Sequence, residues 1–330
     1  KKNMIILTGG AGMIGSIIAW HLNTILNEDQ FVIVDDFIHP DQEKNISKRK
    51  FSEFIHKKDL QKYLSKNNQV SAVIHMGAIS STTENNFNRL LNSNIRYSQM
   101  LWSWCAKNNV PFIYASSAAT YGLGENGYDD SEEEIKNLSP LNAYGYSKHF
   151  FDQWVLQQIQ AHQAIPPQWC SLKFFNVYGP NEYHKGKMAS VVYQAFKQYK
   201  KKQEIRLFKS EHPDFDDGMQ LRDFIYVKDA VECVIYLLKN RNTSGLFNVG
   251  TGKANSFKVI GESVANNLGG DSSAIKYIDL PHDLKKKYQY FTEANINKIR
   301  SVGFEGKFKT LSEGITDYVQ NYLVNNDSYV

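Results

Sequence analysis

A glycine-rich turn near the start of the chain places the strongest limit on how it can fold. An apolar run, Met4 to Leu7, leads into Thr8-Gly9-Gly10-Ala11-Gly12-Met13-Ile14-Gly15, and apolar residues then recur at helical spacing as far as Leu26. This order predicts a strand, a tight turn and a helix. Glycines 9, 12 and 15 suit the turn, close approach of backbone to a pyrophosphate, and close helix packing. The free N–H groups of the helix would face those phosphates.

A second strand supports this interpretation. Phe31 to Val34 is apolar, and Asp35 follows it, 20 residues after Gly15. An acidic side chain at that distance typically binds the adenosine ribose of a dinucleotide. The residues alone therefore predict a dinucleotide site at this end of the chain.

Strand and helix patterns continue to alternate as far as residue 180. Further strands are predicted at Ala72–Met76, Pro111–Ala115 and Cys170–Tyr178, and helices at residues 87–107 and 144–162. Residues 37–69 are polar and lysine-rich and support no detailed prediction. Alternation of this kind predicts an α/β fold, a doubly wound parallel sheet with right-handed crossovers.

After residue 180 the alternation loosens. Short strands are expected at Ile205–Phe208 and in Gln220–Val227, and helices near residues 229–239, 256–267, 292–300 and 310–323. We expect a dinucleotide-binding domain of residues 1–175 plus 222–250. The remaining residues, 176–221 plus 251–330, are expected to form a smaller, discontinuous α/β substrate domain.

Tyr144 and Lys148 are candidates for catalysis. They lie four residues apart, so a helix would place both side chains on one face. An ammonium near a phenol lowers the phenol pKa, and such a Tyr can take a proton from an alcohol while a hydride leaves the same carbon. The plainer alternative is a helix start with an exposed lysine. Ser116 and Ser117 end a predicted strand, either as simple strand caps or facing a ligand.

Composition excludes several classes of protein. The 330 residues are 42% hydrophobic, and a net charge of +4 suits a small anionic ligand without requiring nucleic acid. The basic runs at 200–202 and 285–287 are expected to be solvated surface. No stretch approaches the length of a membrane helix, and the N-terminal apolar run is too short for a signal peptide.

The cysteines and histidines indicate no disulfide framework and no metal site. Cys105, Cys170 and Cys233 are odd in number and far apart, which is typical of reduced thiols in a cytoplasmic protein. The nine histidines lack the spacing of metal ligands.

Taken in order, the glycine turn, the serine-rich strand end and Tyr-x-x-x-Lys resemble the extended short-chain dehydrogenase/reductase superfamily over nearly the whole chain. Within it, the chain looks most like the heptose 6-epimerase family of nucleotide-sugar epimerases. The segments that carry this closer resemblance are Ser80–Glu84, Ala115–Gly122, Tyr144–Lys148, Phe175–Pro180, His184–Gly186 with Met188–Ser190, and Lys287–Thr292. The stretch His184-Lys185-Gly186 is the most specific of them.

The resemblance implies a Rossmann-like fold, bound NADP, and inversion at C6 of an ADP-linked manno-heptose (ADP-heptose) by transient oxidation. It implies that Tyr144 and Lys185 are paired acid/base residues, that Lys148 holds the cofactor ribose, and that Ser117 steadies the reacting oxygen. The implied cofactor-binding residues are Gly9, Gly12, Met13, Ile14, Gly15, Asp35, Asp36, Lys57, Met76, Gly77, Ala78, Ile79, Ser80, Asn94, Lys148, Val177 and Lys185. The implied substrate-binding residues are Ser117, Asn176, Lys187, Gln194, Phe208, Arg222 and Tyr288. It also implies a cytoplasmic homo-oligomer of five subunits, working toward the lipopolysaccharide core.

Several alternatives stay open at this point. Asp36 and Gln42 replace the family's usual Asn and Lys, and a second carboxylate would repel the extra phosphate of NADP, so NAD is not excluded. Lys187 and Gln194 also depart from the family pattern. From spacing alone Lys185 could be a surface lysine, and Arg222 could form an ion pair with Asp223. Which epimer is served by Tyr144 and which by Lys185 is undecided.

Three other functions compete with this one. A 4-epimerase uses the same scaffold but has no evident use for His184-Lys185-Gly186. A 4,6-dehydratase would carry Asp-Glu where this chain has Ala118-Ala119. A dinucleotide-binding sensor without catalysis would commonly lack the Tyr/Lys pair, which is present here.

Overall fold

The computed structural model describes residues 4–67, 69–285 and 287–330. Residues 1–3 of the N-terminal run and Lys286 of the second basic run lie outside the described residues. Within these ranges the chain forms thirteen strands: β1 (Met4–Thr8), β2 (Phe31–Asp35), β3 (Glu53–His56), β4 (Val70–His75), β5 (Phe112–Ser117), β6 (Trp169–Phe174), β7 (Asn176–Tyr178), β8 (Ile205–Phe208), β9 (Leu221–Arg222), β10 (Phe224–Tyr226), β11 (Gly245–Val249), β12 (Asn255–Ser256) and β13 (Ile275–Ile278).

The helices lie between these strands. The α-helices of the described ranges are α1 (Met13–Thr24), α2 (Pro40–Ile46), α3 (Leu60–Lys66), α4 (Phe87–Leu90), α5 (Tyr97–Asn108), α6 (Ala143–Gln160), α7 (Val191–Lys202), α8 (Val227–Lys239), α9 (Phe257–Asn267), α10 (Asn297–Ser301) and α11 (Leu311–Tyr318). A π-helical turn, Leu91–Arg96, joins α4 to α5, and a second one, Val319–Leu323, continues α11.

The main sheet is parallel and doubly wound, as the alternating pattern predicted. Its strand order is β11-β6-β5-β4-β1-β2-β3 in the described residues, and each neighbouring pair is parallel. The order reverses between β1 and β4, so a crevice opens at the carboxyl ends of these two strands.

Both faces of this sheet are buried because side chains alternate along each strand. On β1, Ile5 and Leu7 pack into one core with α1 and α8, whereas Ile6 packs into the other. The strands consequently read as continuous apolar runs, which is typical of parallel sheets covered by helices.

A smaller part of the molecule is formed by strands that lie before and after β11 in the sequence. Its strands form the pairs β7–β10, β8–β13 and β9–β12, and the first two pairs are parallel. A third apolar core joins residues of α7, α9 and α11. The expected smaller, discontinuous α/β part is therefore present.

Two predicted strands are broken in the structure. Residues 170–178 form β6 and β7, and β7 leaves the main sheet to pair with β10. The break occurs at Phe175, whose N–H bonds to the Val249 carbonyl while Val177 bonds back to the Phe175 carbonyl. Residues 220–227 are divided in the same way between β9, β10 and the start of α8. A local pattern could not show these changes of partner because the partners are distant in sequence.

The polar segment 37–69, which supported no detailed prediction, contains α2, β3 and α3. The three cysteines are buried free thiols, in keeping with the prediction of reduced cysteines. In the part of the chain that the structure describes, no helix has the length and hydrophobicity needed to cross a membrane.

Candidate active site

A large cavity opens at the carboxyl ends of β1, β2 and β4. Its volume is about 970 Å³. The predicted cofactor residues that line it are Gly9, Gly12, Met13, Ile14, Gly15, Asp35, Asp36, Lys57, Met76, Gly77, Ala78, Ile79, Ser80 and Lys185. The structure thus brings residues from five separate stretches of the chain to one crevice.

The glycine turn presents a bare helix end to this cavity. Gly12 is the N-cap of α1 and supplies no side-chain cap, so the first N–H groups of the helix lack a capping partner. A Cβ at Gly15 would lie 2.0 Å from the Gly9 carbonyl oxygen, which only glycine avoids. Free N–H groups and the positive end of the helix dipole fit the pyrophosphate of a dinucleotide.

Two adjacent carboxylates behave differently at the end of β2. Asp35 is buried and accepts hydrogen bonds from Ala11 N (2.9 Å) and Asp36 N (2.8 Å). Burial raises the pKa of Asp35, although these bonds oppose the rise. Asp36 instead forms an ion pair with Lys57, which offsets the second negative charge at this corner.

Asn94 supports the cavity wall from behind. Its side chain is buried, accepts a bond from Ile79 N (2.9 Å) and donates to Ile79 O (3.0 Å). The same amide nitrogen lies 3.0 Å from Ser147 Oγ on α6. Asn94 therefore connects the loop after β4 with the helix that carries Tyr144.

Tyr144 and Lys148 lie on α6, as the spacing predicted. Asn142 caps the helix by accepting a bond from Gly145 N at 2.8 Å. Both side chains are buried, with 9% of Tyr144 and 6% of Lys148 exposed, so Lys148 is not the exposed lysine of the plainer alternative. Lys148 Nζ donates to the carbonyl oxygen of Ala115, a cavity residue, at 2.8 Å.

The pKa of Tyr144 differs from the expectation. Burial raises it above its usual range, and a hydrogen bond with Ser117 reverses only part of the rise. The expected lowering of this pKa by Lys148 is therefore wrong, because desolvation outweighs the hydrogen bond that favours the phenolate. Burial also lowers the pKa of Lys148 to about 8, against the raising effect of Asp152.

Lys185 borders the cavity from a different part of the chain. It lies in the 3₁₀ turn Tyr183–Met188, and its Nζ is 3.4 Å from the sulfur of Met13. Burial lowers the Lys185 pKa, and the nearby Glu182 carboxylate raises it. The surface-lysine alternative is therefore wrong: Lys185 is a partly buried amine beside the glycine turn.

Glu182 anchors this turn from below. Its fully buried carboxylate accepts bonds from Ser190 N (2.6 Å), Ser190 Oγ (2.7 Å) and Tyr318 OH (3.0 Å). Its carbonyl accepts from Lys185 N at 3.0 Å. The buried carboxylate thus fixes the turn and supplies the negative charge closest to Lys185 in its own segment.

A second cavity, of about 310 Å³, lies in the smaller part of the molecule. Three predicted substrate residues, Gln194, Phe208 and Tyr288, line it. Gln194 also donates to the Gly186 carbonyl at 2.9 Å, which ties this cavity to the Lys185 turn.

Arg222 is buried between two aromatic rings of the second cavity. Its guanidinium carbon lies 5.3 Å from the ring centroid of Tyr288 and 5.6 Å from that of Phe257. The suggested ion pair with Asp223 is absent from the described residues, since the Asp223 carboxylate accepts bonds from Thr251, Gly252 and Ala294. The Arg222 charge is therefore available to an anionic ligand.

The remaining predicted residues lie outside both cavity walls. Asn176 and Lys187 are exposed, and Val177 is half-buried in β7. Among the described residues, no group of His, Cys, Asp and Glu side chains is arranged to hold a metal ion.

Comparison with known proteins agrees with this geometry. Residues 5–250 match the NAD dependent epimerase/dehydratase family. An ADP-L-glycero-D-manno-heptose-6-epimerase of Fusobacterium nucleatum is 49% identical, over 99% of this chain and 100% of the relative. The chain belongs to the ADP-L-glycero-D-manno-heptose-6-epimerase family. The epimerase of the same name from Nitratidesulfovibrio vulgaris is 44% identical, again over 99% and 100%.

A solved structure supports the same family. The crystal structure of the Helicobacter pylori ADP-L-glycero-D-manno-heptose-6-epimerase superposes with a TM-score of 0.79 at 30% identity, covering 97% of this chain and 96% of that one. The predicted resemblance to the heptose 6-epimerase family is thereby confirmed, and the chain is an isomerase, since epimerases are isomerases.

Two charged residues near the heptose epimerase site escaped the sequence analysis. Asp152 follows Lys148 by four residues, so the face that carries Tyr144 and Lys148 continues to a carboxylate. That spacing was a usable signal. Glu182 gave none, because a glutamate in a polar turn is ordinarily solvated, and only the fold buries it beneath Lys185.

Proposed function

We propose that the chain interconverts ADP-D-glycero- and ADP-L-glycero-D-manno-heptose by transient oxidation at C6. The observation that carries this proposal is the position of Lys185. Lys185 lines the dinucleotide cavity, and the Ser117–Tyr144–Lys148 group reaches the same cavity through the bond from Lys148 to Ala115. Simple oxidation would need only one acid/base group.

Inversion explains the need for two proton carriers. One group takes the proton from the C6 hydroxyl as the C6 hydrogen leaves as hydride, which yields a ketone. The ketone must then present its other face, so its oxygen points elsewhere when the hydride returns. A second group has to donate the proton there. Each acid/base group contributes about 10² to 10⁴ in rate.

The residues fit a nicotinamide dinucleotide, which supplies the reversible hydride acceptor when bound. The bare end of α1 would hold its pyrophosphate, Asp35 the adenosine ribose, and Lys148 the second ribose. Ser117 would steady the reacting oxygen while Tyr144 and Lys185 exchange protons with it.

We infer that the dinucleotide is NADP. Lys57, Lys58 and His39 border the cavity at the corner where Asp36 lies. Because Asp36 is paired with Lys57, a 2′-phosphate would compete with the carboxylate for this lysine. Asp36→Asn would remove the competitor, and we expect NADP affinity to rise relative to NAD by about tenfold, measured by calorimetric titration of both cofactors.

The substrate is proposed to extend from this cavity into the second one. Arg222 would hold the diphosphate, and Gln194, Phe208 and Tyr288 would contact the remainder of the nucleotide sugar. Asn176 and Lys187 are exposed and would reach the substrate from the rim.

The wider context is also a proposal. We propose a cytoplasmic homo-oligomer that supplies heptose for the lipopolysaccharide core, with three buried thiols in keeping with a reducing compartment. We likewise propose that residues 1–175 plus 222–250 bind the dinucleotide and the others bind the sugar nucleotide.

Proton NMR tests the reaction directly. Purified protein is incubated with ADP-D-glycero-D-manno-heptose, first alone and then with added NADP or NAD. Appearance of the L-glycero signals without added cofactor supports epimerisation with a retained dinucleotide. No change under any of these conditions would exclude this substrate and redirect the test to other nucleotide sugars, beginning with substrates of 4-epimerases.

A further inference from the structure

A fully buried ion pair lies behind the proposed catalytic group. Asp152 on α6 and Lys173 on β6 are both completely excluded from solvent, and Lys173 Nζ lies 3.0 Å from Asp152 Oδ2. Replacing such a pair by apolar side chains is often neutral or stabilising. Stability alone therefore gives little reason for its presence.

The Asp152 carboxylate has a complete set of donors. Oδ1 accepts from Tyr114 OH (2.9 Å) and Ser171 Oγ (2.8 Å), and Oδ2 accepts from Ser116 Oγ (2.6 Å) in addition to Lys173. Two of these donors lie on β5 and two on β6. The carboxylate consequently connects α6 with both strands.

Lys173 extends this connection to Ser117. Its ammonium donates to Thr120 Oγ1 at 2.7 Å, and Thr120 donates to the Ser117 carbonyl at 2.9 Å. Ser116, the residue before Ser117, bonds to Asp152 directly. The ion pair thus reaches Ser117 from two sides, through the Ser116 hydroxyl and through Thr120, which bonds to the Ser117 carbonyl.

The same pair bears on Lys148. Tyr144, Lys148 and Asp152 are spaced by four residues, so they follow one another along one face of α6. The other titratable groups around Lys148 carry no charge at neutral pH: burial lowers the pKa of His75 on β4 to about 3 and that of His149 on α6 to about 4, and burial raises the Tyr114 pKa on β5. Asp152 is therefore the charge that acts on Lys148, and Lys173 in turn acts on Asp152.

We propose that Asp152 and Lys173 are positioning residues of the reaction: the pair fixes Ser117 against α6, and the Asp152 carboxylate keeps Lys148 cationic. Neither residue contacts substrate in this proposal. It rests on the proposed role of Lys148 in holding the dinucleotide ribose.

The charge on Lys148 is sensitive to this arrangement. Burial has already brought the pKa of Lys148 close to neutrality, at about 8, and Asp152 opposes that change. Losing the carboxylate would lower the pKa further, so Lys148 would lose its proton near neutral pH. Losing only Lys173 would leave the carboxylate unpaired, which would raise the Lys148 pKa.

Three variants separate positioning from mere stability: Asp152→Asn, Lys173→Met, and the double variant that removes both charges. NADP affinity is measured by calorimetry across the alkaline pH range, so that the readout does not depend on the identity of the sugar substrate. Epimerisation rates are measured over the same range, and free energies of unfolding by urea titration. Asp229→Asn is the matched control, because Asp229 is a buried carboxylate on α8 that accepts a hydrogen bond from Lys309 N.

We expect both single variants to be less stable than the wild type but to differ from each other in the pH dependence of NADP affinity. The alkaline pH at which NADP affinity declines should move down by about one unit in Asp152→Asn and up in Lys173→Met. The double variant should recover stability and still decline earlier than the wild type, and Asp229→Asn should keep the wild-type profile.

Other outcomes overturn the inference. Parallel movement of both single variants would mean that the pair acts only on stability. If neither single variant folds, a double variant with the wild-type pH profile and rate would lead to the same conclusion. An inactive wild type that still binds NADP would refute the proposed substrate alone, because the affinity profiles test the ion pair separately.

Discussion

The two proposed acid/base residues are held in place by different means. Tyr144 lies one residue into α6, an 18-residue helix that is capped by Asn142 and packed against the main sheet. Lys185 lies in a six-residue 3₁₀ turn that contains Gly186 at a φ of +55°. The turn packs against α2, and its position also depends on the bonds that Glu182 accepts from Ser190 and Tyr318.

This difference shows two ways to position a reacting group. Regular structure places Tyr144, and neighbouring side chains on the same helix face follow automatically. A network of buried polar side chains places Lys185, and such a network depends on every one of its members. We therefore expect the position of Lys185 to depend on single hydrogen bonds, above all those of Glu182, more strongly than the position of Tyr144 does.

The largest expected effect is loss of both proton carriers. Tyr144→Phe and Lys185→Ala should each slow epimerisation by about 10²- to 10⁴-fold, and the double variant should have no measurable turnover while keeping its dinucleotide. Proton NMR of the sugar and the absorbance of bound cofactor measure the two properties. Lys201→Ala, which removes an exposed lysine at the end of α7, is the control and should retain full activity. Epimerisation by the double variant would refute the two-base mechanism.

Lys148→Met on α6 should have opposite effects on stability and on dinucleotide binding. The folded pKa of Lys148 is about 8, below the 10.5 of a free lysine, so the unfolded chain binds more protons between these values. Burying the cation costs about 3 kcal/mol at neutral pH, and the cost disappears as the pH rises from about 8 to about 10.5. The variant should be more stable at pH 7 and lose dinucleotide affinity.

Urea titrations at neutral pH and at pH ~10 check the sign of this effect. The stability advantage of Lys148→Met should shrink to about 1 kcal/mol or less at the higher pH, because the lysine of the folded protein is then neutral and that of the unfolded chain has begun to lose its proton. An advantage that persists at high pH would show that packing rather than charge is responsible.

Glu182→Gln should affect the turn more than the rest of the fold. It removes the charge that raises the Lys185 pKa and weakens the bonds from Ser190 and Tyr318, which should lower the free energy of unfolding by about 2 kcal/mol. The alkaline limit of the rate profile should move to lower pH. Tyr318→Phe, which removes one bond of 3.0 Å but keeps the charge, should cost about 1 kcal/mol and leave that limit unchanged. Equal pH profiles in the two variants would contradict the assigned role of Glu182.

The smallest expected effect is that of Gly186→Ala. A Cβ at Gly186 would have open space around it, so the strain comes only from the left-handed backbone and amounts to about 1 kcal/mol. Gly145→Ala on α6 gives the opposite case, because its Cβ would lie 2.9 Å from the Ala119 carbonyl oxygen in a favourable helical backbone. We expect Gly186→Ala to change the epimerisation rate without lowering the melting temperature markedly. We expect Gly145→Ala to lower the melting temperature and to leave the rate nearly unchanged.

Much of the dinucleotide half could be predicted because its signals are local. The turn from Thr8 to Gly15, the acid at Asp35 and the pair Tyr144/Lys148 each combine a short spacing with a strand or helix pattern. Strands and helices of this half appear close to their expected positions. The expected lowering of the Tyr144 pKa was wrong because spacing shows which groups are neighbours but not how deeply they are buried.

The smaller part was harder to predict because its elements are held by distant partners. The change from β6 to β7 depends on β10, which lies about fifty residues later. The placement of Lys185 depends on Tyr318, 136 residues from Glu182. Its identification came from resemblance to a family and not from any local pattern.

The sequence by itself determined the α/β class, the glycine turn for a dinucleotide and the helix face that carries Tyr144 and Lys148, since these follow from backbone sterics and helical periodicity. Only the tertiary structure decided which charges are buried together. Asp152 forms an ion pair with Lys173, and Asp36 forms one with Lys57. Asp223 accepts a hydrogen bond from Thr251 instead of pairing with Arg222. The physical reason is that desolvation and Coulomb energies depend on depth and on distances between segments, and one-dimensional spacing contains neither quantity.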